Sequence, residues 1–177
     1  HTSTGDTRTP TAKPDDTLER TTDATGPIWE VPEAELAGID AGYRHEIDGE
    51  FPFRGMGVTV PTLEQLTTAF PEASIVVDLK QDGLAQPLAD LIDRLDLENR
   101  LIVGSFSDRR LREFRAATGG RVATSTGPVA SAVALIGALL GRSPRFADAV
   151  QLPRYQSGIP VVTRRSVSGF RRAGYDV

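Results

Sequence analysis

From residue 74 onward, short apolar runs rich in β-branched side chains alternate with longer segments of helical apolar period. The run at 74–80 reads Ser-Ile-Val-Val-Asp-Leu-Lys, and the segment at 84–95 places its apolar residues on one helix face. Strands that alternate with helices pair in parallel through right-handed crossovers. The alternation therefore predicts an α/β fold built on a parallel sheet.

The remaining elements follow from similar local patterns. Thr62 and either Ser107 or Asp108 are suited to cap helix N-termini, and glycines close several helical segments. A glycine- and aromatic-rich stretch at 41–59 indicates an ordered functional loop. The predicted strands are 74–80, 101–106, 121–125 and 147–152, and the predicted helices are 32–37, 62–70, 84–95, 108–117, 128–140 and 164–173.

Asp78 and Lys80 stand two positions apart at the end of the first predicted strand. Side chains two apart in a strand project from the same face. In parallel α/β barrels the chemistry lies at the carboxyl ends of the strands. An acid beside a base at such a place suits a divalent cation and a phosphate oxygen, although polar residues also mark the exit of any strand into water.

Composition excludes some functions and leaves others open. A net charge of −4 argues against nucleic-acid binding, which usually needs a basic face. The lack of cysteine excludes disulfides and thiol chemistry, and no apolar run reaches transmembrane length. Neither observation marks the compartment, for which we favour the cytoplasm.

Several motifs flank the Asp-Leu-Lys strand in a specific order and spacing. The motifs are Asp16-Thr-Leu-Glu-Arg-Thr-Thr22, Thr25-Gly-Pro27, Asp40-Ala-Gly-Tyr-Arg44, Phe51-Pro-Phe-Arg-Gly55, Val60-Pro-Thr-Leu-Glu64, Val103-Gly-Ser-Phe106 and Val150-Gln-Leu-Pro153. Together they resemble the glycerophosphodiester phosphodiesterase family over residues 15–177.

The resemblance implies an α/β fold of the (β/α)8 TIM-barrel type, as in PLC-like phosphodiesterases. Residues 17–177 are then part of the barrel domain, and residues 1–16 are a loop or a disordered segment. A complete barrel of this type needs roughly 200 to 250 residues or more. We therefore expect a partial barrel that lacks the first strands and the last.

The resemblance also implies an activity and two principal site residues. The activity is metal-dependent hydrolysis of glycerophosphodiesters, small molecules derived from phospholipids, to an alcohol and glycerol 3-phosphate, with Mg²⁺ or Ca²⁺ as cofactor. Asp78 stands where the family has the metal-binding Glu of Glu-x-Lys. Lys80 matches the Lys, whose charge neutralises phosphate oxygens.

The family's catalytic His-Asp pair, which precedes Thr-Leu-x-Arg-Thr-Thr, is matched in part. An ungapped alignment places Pro14 at the His and Asp15 at the Asp. His1 is the candidate catalytic histidine if residues 2–14 are an insertion. Otherwise His1 is merely the point where the sequence begins.

Five further residues are candidates for substrate binding, and all of them except Gln151 have a structural alternative. Arg20 and Arg54 are expected either to bind phosphate or to brace their loops. Phe53 lines a substrate pocket or plugs the barrel mouth. Ser105 and Gln151 end strands on the predicted catalytic edge, where Ser105 either donates to the substrate or takes part in capping the next helix.

A second function stays open beside the enzyme. A catalytically degenerate relative would act as a module that binds a phosphate ligand or a partner. Asp in place of Glu at 78 and Pro at 14 favour that alternative. Lys80 and the intact loop motifs favour the enzyme.

Overall fold

The structure, a computed structural model, describes residues 17–156 and 158–177. The chain folds into two compact units, of which one ends at Ala73 and the other is formed by Ser74–Val177. His1 and the predicted segment 1–16 lie outside the described residues.

The described part of the first unit holds short helices joined by long, hydrogen-bonded turns. A 3-10 turn at Ile28–Glu30 precedes α1 (Glu33–Leu36), and α2 spans Leu63–Ala69. The Thr62 hydroxyl accepts from Gln65 N, and the Gln65 side chain accepts from Thr62 N, so the predicted N-cap is confirmed as a capping box. A small apolar core holds the unit together, formed by Leu18, Leu36, Ile39 and Val60.

The second unit contains the predicted parallel sheet. Strand β1 (Ile75–Asp78) pairs in parallel with β2 (Leu101–Gly104), which pairs in parallel with β3 (Ala123–Thr124). Helices of the same unit follow the strands at Ala85–Leu95 (α3), Asp108–Thr118 (α4), Pro128–Leu139 (α5) and Arg164–Arg172 (α6). The predicted alternation of strands and helices is therefore confirmed.

The prediction of a strand at 147–152 is wrong in its extent. Ala149 forms single parallel bridges, with Ser125 on one side and Asp176 on the other. The ladder does not become regular because Asp148 N and Ala149 N both donate to Thr124 O, at 2.9 and 3.1 Å. A short antiparallel hairpin that the sequence did not suggest follows, with β4 at Tyr155–Gln156 and β5 at Ile159–Pro160.

α5 packs closely against α6, and side chains of both helices belong to one apolar core cluster of the second unit. A Cβ atom on Gly169 would lie 2.5 Å from Ala138 O, so the two helix backbones nearly touch. The Phe170 and Tyr175 rings meet edge to face at 5.9 Å in the same cluster. The Tyr175 hydroxyl donates to Pro144 O (2.7 Å) and accepts from Phe146 N (2.9 Å).

Among the described residues, no helix combines the length and the apolarity that a bilayer span requires.

Candidate functional site

Asp78 is the last residue of β1, and Lys80 follows two residues later. Strand alternation buries Leu79 on the helix side, with 3% of its surface exposed, whereas Val76 on the opposite face is 55% exposed. Asp78 and Lys80 follow Val76 at two-residue steps and are exposed as well. The predicted shared face of the acid and the base is therefore present.

Gly104 is the neighbour of Asp78 across the ladder and marks a point where three segments converge. The two residues are paired in register, and Leu79 N donates to Gly104 O at 2.8 Å. A Cβ atom on Gly104 would lie 3.0 Å from Ser125 Oγ and 3.6 Å from Gln151 Oε1. Glycine thus leaves the space that these two polar side chains occupy beside the carboxyl end of the strands.

This set of residues, namely Asp78, Lys80, Gly104, Ser125 and Gln151, is called the strand-end rim below. The rim brings Gln151 to the end of the sheet that carries Asp78, as its place at the end of a predicted strand suggested. Binding of substrate by Gln151 stays a prediction.

Ser105 lies next to the rim, but its hydroxyl is engaged inside the protein. Ser105 Oγ donates to Leu79 O at 2.6 Å and accepts from Ser107 N at 3.2 Å, and the residue is 8% exposed. These bonds join the ends of β1 and β2 to the start of α4. The geometry supports the structural alternative, and donation from Ser105 to a substrate stays a prediction.

Ser125 is a rim residue that sequence reasoning missed. Its main chain continues β3, since Ser125 N donates to Val103 O at 2.9 Å, and only 2% of the residue is exposed. The available signal was its position at the end of the predicted strand 121–125, the same criterion that selected Ser105. The convergence with Gly104 and Gln151 depends on the tertiary fold and is not visible in the sequence.

Arginines from α4 fix the backbone beneath the rim. Arg110 donates from Nε to Asp82 Oδ1 at 2.7 Å and from Nη1 to Leu79 O at 3.3 Å, and Arg109 also bonds Asp82. The hydrogen bond from Arg110 is the main cause that lowers the pKa of the Asp82 carboxyl from its ordinary value, with Arg109 adding to it. The segment that leaves β1 after Lys80 is thereby tied to α4.

A half-buried arginine supports the end of β3 in a similar way. Arg115 donates from Nε to Thr124 Oγ1 at 2.7 Å and from Nη2 to Ser125 O at 3.1 Å. Burial lowers the pKa of its guanidinium from the ordinary value. The peptide that carries Ser125 is therefore fixed by its side-chain support as well as by the ladder.

In the first unit, Arg54 lies between two aromatic rings. Its guanidinium carbon is 4.4 Å from the centre of the Tyr43 ring and 3.9 Å from that of Phe51, and Nε donates to Tyr43 O at 2.8 Å. Phe53 is 42% exposed, and its ring lies 5.3 Å from that of His45. Arg54 thus braces its loop, and contact of Arg54 or Phe53 with a substrate stays a prediction.

The carboxylate of Asp40 closes this loop at its base. Oδ1 accepts from Gly42 N at 2.8 Å, and Oδ2 accepts from Gly55 N at 2.7 Å. A Cβ atom on Gly42 would lie 2.6 Å from Phe53 O, so the chain comes within contact of itself at this point. The prediction of an ordered loop at 41–59 is confirmed by these contacts.

Arg20 belongs to a folded turn that begins at Thr17. Leu18 is completely buried, Leu18 N donates to Gly26 O at 3.0 Å, and Thr22 Oγ1 donates to Leu18 O at 2.8 Å. Arg20 itself is exposed on this turn. The hydroxyl and the leucine of the motif therefore have structural roles, and phosphate binding by Arg20 stays a prediction.

The residues available for a divalent cation do not by themselves make a metal site. In residues 17–156 and 158–177, no group of three or more His, Cys, Asp or Glu side chains is placed to hold a metal ion. Asp78 supplies one carboxylate at the rim, whereas a cation such as Mg²⁺ or Ca²⁺ takes about six or more oxygen ligands. A cation at the rim would therefore take its remaining oxygen ligands from other sources, such as water, main-chain oxygens, the substrate or residues outside the described ranges.

Comparison with known proteins defines the class of the fold. The structure superposes on the glycerophosphoryl diester phosphodiesterase domain of a Mycobacterium tuberculosis protein with a TM-score of 0.74 at 20% identity, covering 97% of this chain and 72% of that one. It superposes on the glycerophosphodiester phosphodiesterase of Agrobacterium tumefaciens with a TM-score of 0.66 at 21% identity, covering 92% and 64%. An Oleispira antarctica phosphodiesterase, solved in complex with the product sn-glycerol-3-phosphate, gives 0.64 at 23%, covering 96% and 66%. The fold is that of glycerophosphodiester phosphodiesterase domains.

Sequence comparison leads to the same family. No family model matches the chain. It is 39% identical over 129 residues to the probable glycerophosphodiester phosphodiesterase 2 of Mycobacterium tuberculosis, an alignment that covers 70% of this chain and 49% of the relative. The chain therefore spans about half the length of the curated relative that it matches. It belongs to the glycerophosphodiester phosphodiesterase family.

Proposed function

We propose that the protein to which this chain belongs hydrolyses glycerophosphodiesters to an alcohol and glycerol 3-phosphate. The observation that carries the proposal is the rim, where Asp78 at the end of β1 pairs with Gly104 and Lys80 follows two residues later, both side chains being exposed. The relative at 39% identity, which is named a probable glycerophosphodiester phosphodiesterase, supports the choice of reaction.

The reaction adds water across one P–O ester bond. The water oxygen becomes bonded to phosphorus, the bond from phosphorus to the alcohol oxygen breaks, and a proton passes to the departing alcohol. Because the phosphodiester is an anion that repels nucleophiles, a fixed positive charge at its nonbridging oxygens stabilises the transition state. We assign that charge to the Lys80 ammonium group.

Further assignments complete the proposal. Asp78 is one oxygen ligand of a divalent cation, Mg²⁺ or Ca²⁺. Such a cation would supply additional charge for the phosphate oxygens. His1 is proposed as the group that protonates the leaving alcohol. Arg20, Arg54, Phe53, Ser105 and Gln151 are proposed to contact the substrate.

The test uses the full-length protein with glycerophosphocholine as substrate. Lys80→Ala should lower turnover by roughly 10² or more, because a preorganised charge at the transition state is lost. Lys80→Arg keeps the charge but changes its shape, and should retain more activity than Lys80→Ala. The control is Arg112→Ala, which removes an exposed cation from the outer helix α4 and should leave turnover unchanged. Full activity of Lys80→Ala would remove the basis of the proposal.

Substitutions at Asp78 distinguish an enzyme from a catalytically degenerate binding module. In an enzyme adapted to the shorter acid, Asp78→Ala should weaken the binding of the Mg²⁺ or Ca²⁺ on which activity depends, because one oxygen ligand is lost. Asp78→Glu should be tolerated or mildly harmful. A binding module would show no hydrolysis in any of these proteins, with or without cation. Full activity in chelator would contradict the role of the metal.

A further inference from the structure

An apolar ridge runs along the outer side of α5. It is formed by Val129, Val133, Ile136 and Leu140, which are 68%, 44%, 59% and 75% exposed. Their spacing of four, three and four residues aligns them on one side of the helix. No charged side chain occurs anywhere from 128 to 140. The ridge is therefore an uninterrupted apolar strip about 16 Å long, at 1.5 Å per residue.

The inner side of α5 is already occupied. Ala134 and Ala138 are buried in the core of the second unit, and Gly169 of α6 lies directly against Ala138. A helix that is apolar on all sides is normally covered on all sides, and contiguous exposed apolar patches mark interaction sites. The ridge is thus a second face of α5 that intramolecular packing in the described residues leaves exposed.

Arginines border the ridge on the neighbouring helix. α6 reads Arg-Arg-Ser-Val-Ser-Gly-Phe-Arg-Arg and has no acidic residue. Its buried side is formed by Ser166, Gly169 and Phe170, so the exposed arginines share the opposite side of the helix, namely Arg164, Arg165, Arg171 and Arg172. A cationic face therefore lies on the helix packed against α5.

One hydrogen bond places this cationic face beside the ridge. Arg165 Nη2 donates to Leu139 O at 2.8 Å, so its guanidinium stands at the last turn of α5, next to Leu140. Arg142 follows the ridge in sequence two residues after Leu140 and is also exposed. The ridge, these two arginines at its C-terminal end and the exposed arginines of the helix packed against it make up the candidate surface.

We propose that this surface docks the protein onto an anionic phospholipid bilayer. The apolar side chains would enter the boundary between head groups and acyl chains, and the guanidinium groups would bind lipid phosphates. Charge complementarity selects this occupant, because a purely apolar partner would gain nothing from the arginines. The proposal concerns the outside of α5 and α6 and does not depend on the proposed hydrolysis at the rim.

The test is cosedimentation of the full-length protein with vesicles. Vesicles of phosphatidylcholine mixed with phosphatidylglycerol should bind the protein, and binding should weaken as salt screens the charges. Vesicles of phosphatidylcholine alone should bind it at least tenfold more weakly. Equal binding to both vesicle types, or binding to neither, would overturn the proposal.

Two independent pairs of substitutions locate the surface. Arg171→Gln with Arg172→Gln should weaken binding by roughly tenfold or more, since each cation near an anionic surface contributes substantially to attachment. Val133→Ser with Ile136→Ser should weaken it to a similar degree through the loss of apolar contact. The matched controls are Arg112→Gln on α4 and Met56→Ser, which is 71% exposed and outside the ridge. Both controls should bind as the unmodified chain does.

Circular dichroism and gel filtration of each variant complete the design. All the substituted residues are exposed, so the helical spectrum should be unchanged. If the ridge instead joined two copies of this chain, the unmodified protein would elute as a dimer, and the serine pair would elute as a monomer without any difference in vesicle binding. That result would overturn the proposal in favour of self-association.

Discussion

The carboxylate of Asp108 occupies the space that a side chain on Gly127 would need, since a Cβ atom there would lie 2.7 Å from Asp108 Cγ. Asp108 accepts from Val129 N at 3.0 Å and from Ala130 N at 3.1 Å, in the first turn of α5. Ser107, its neighbour, caps α4 itself. The two consecutive residues thus cap two different helices.

Removal of this second cap should destabilise the protein measurably. Asp108→Ala leaves two helix amides without their charged acceptor, and we expect a loss of about 1–3 kcal/mol in the free energy of unfolding. The measurement is urea unfolding followed by circular dichroism. Asp93→Ala is the matched control, because it breaks an exposed pair with Arg121 and should cost at most about 1 kcal/mol. Equal effects of the two substitutions would contradict the capping role.

The close contact of α5 and α6 predicts that replacing Gly169 by alanine lowers stability, opposite to the usual effect of this substitution in a helix. At an ordinary helix position, Gly→Ala stabilises a protein by up to about 1 kcal/mol. Gly169→Ala should instead destabilise it by about 1–3 kcal/mol, because the new methyl group meets Ala138 O at 2.5 Å. Ser168→Ala, on the exposed side of the same helix, should be close to neutral. Thermal unfolding of the three proteins decides the matter, and a higher midpoint for Gly169→Ala would show that the helices can separate freely.

The opening at Gly104 predicts a rescue experiment at the rim. Gly104→Ala brings a methyl group to 3.0 Å from Ser125 Oγ, so the rim side chains must shift. In the full-length protein we expect turnover to fall by roughly tenfold to hundredfold, as misplacement of site groups does. Adding Ser125→Gly should recover part of the loss, because the methyl group then has space. Losses that simply add in the double variant would show that the two positions act independently.

The ion pairs between Asp82 and α4 predict a titration behaviour. Because the pKa of Asp82 is lowered in the folded state, its contribution to stability is present above its ordinary pKa and is lost as the pH falls through the lowered value. Arg110→Gln should raise the pKa of Asp82 toward the ordinary value, and the control Arg112→Gln should not. The carboxyl carbon shift of Asp82, followed by NMR between about pH 2 and 6, reports both. If Arg110→Gln left the pKa of Asp82 unchanged, the hydrogen bond from Arg110 would not be the main cause of its lowering.

Local patterns predicted what local physics determines. The capping box at Thr62 and the end of the helix at Gly119 follow from residues within one turn, and the face shared by Asp78 and Lys80 follows from strand alternation. The family motifs extended this to the class of fold, since their order is specific even where each motif is short.

What the sequence did not reveal depends on contacts between distant segments. The cap that Asp108 provides spans 21 residues, and its identity suggested a cap for its own helix instead. Ala149 looked like part of a regular strand, but the acceptor it shares with Asp148 at Thr124 interrupts the ladder. The meeting of Ser125 with Gln151 beside Gly104 likewise needs the folded sheet. Of the site residues, Ser105 also gained its structural partner from a distant segment, since Leu79 lies 26 residues earlier in the chain.

The hydrogen bonds from Gly42 N and Gly55 N to the Asp40 carboxylate close the loop through main-chain amides. Loop closure costs entropy that depends on where the chain is tied and only weakly on what lies between. Both ties are made by one carboxylate to two main-chain amides, whereas Arg54 braces the loop from within through Tyr43, so the two supports can be removed separately. The closure at Asp40 therefore relies on main-chain amides, which are present whatever side chains the loop carries.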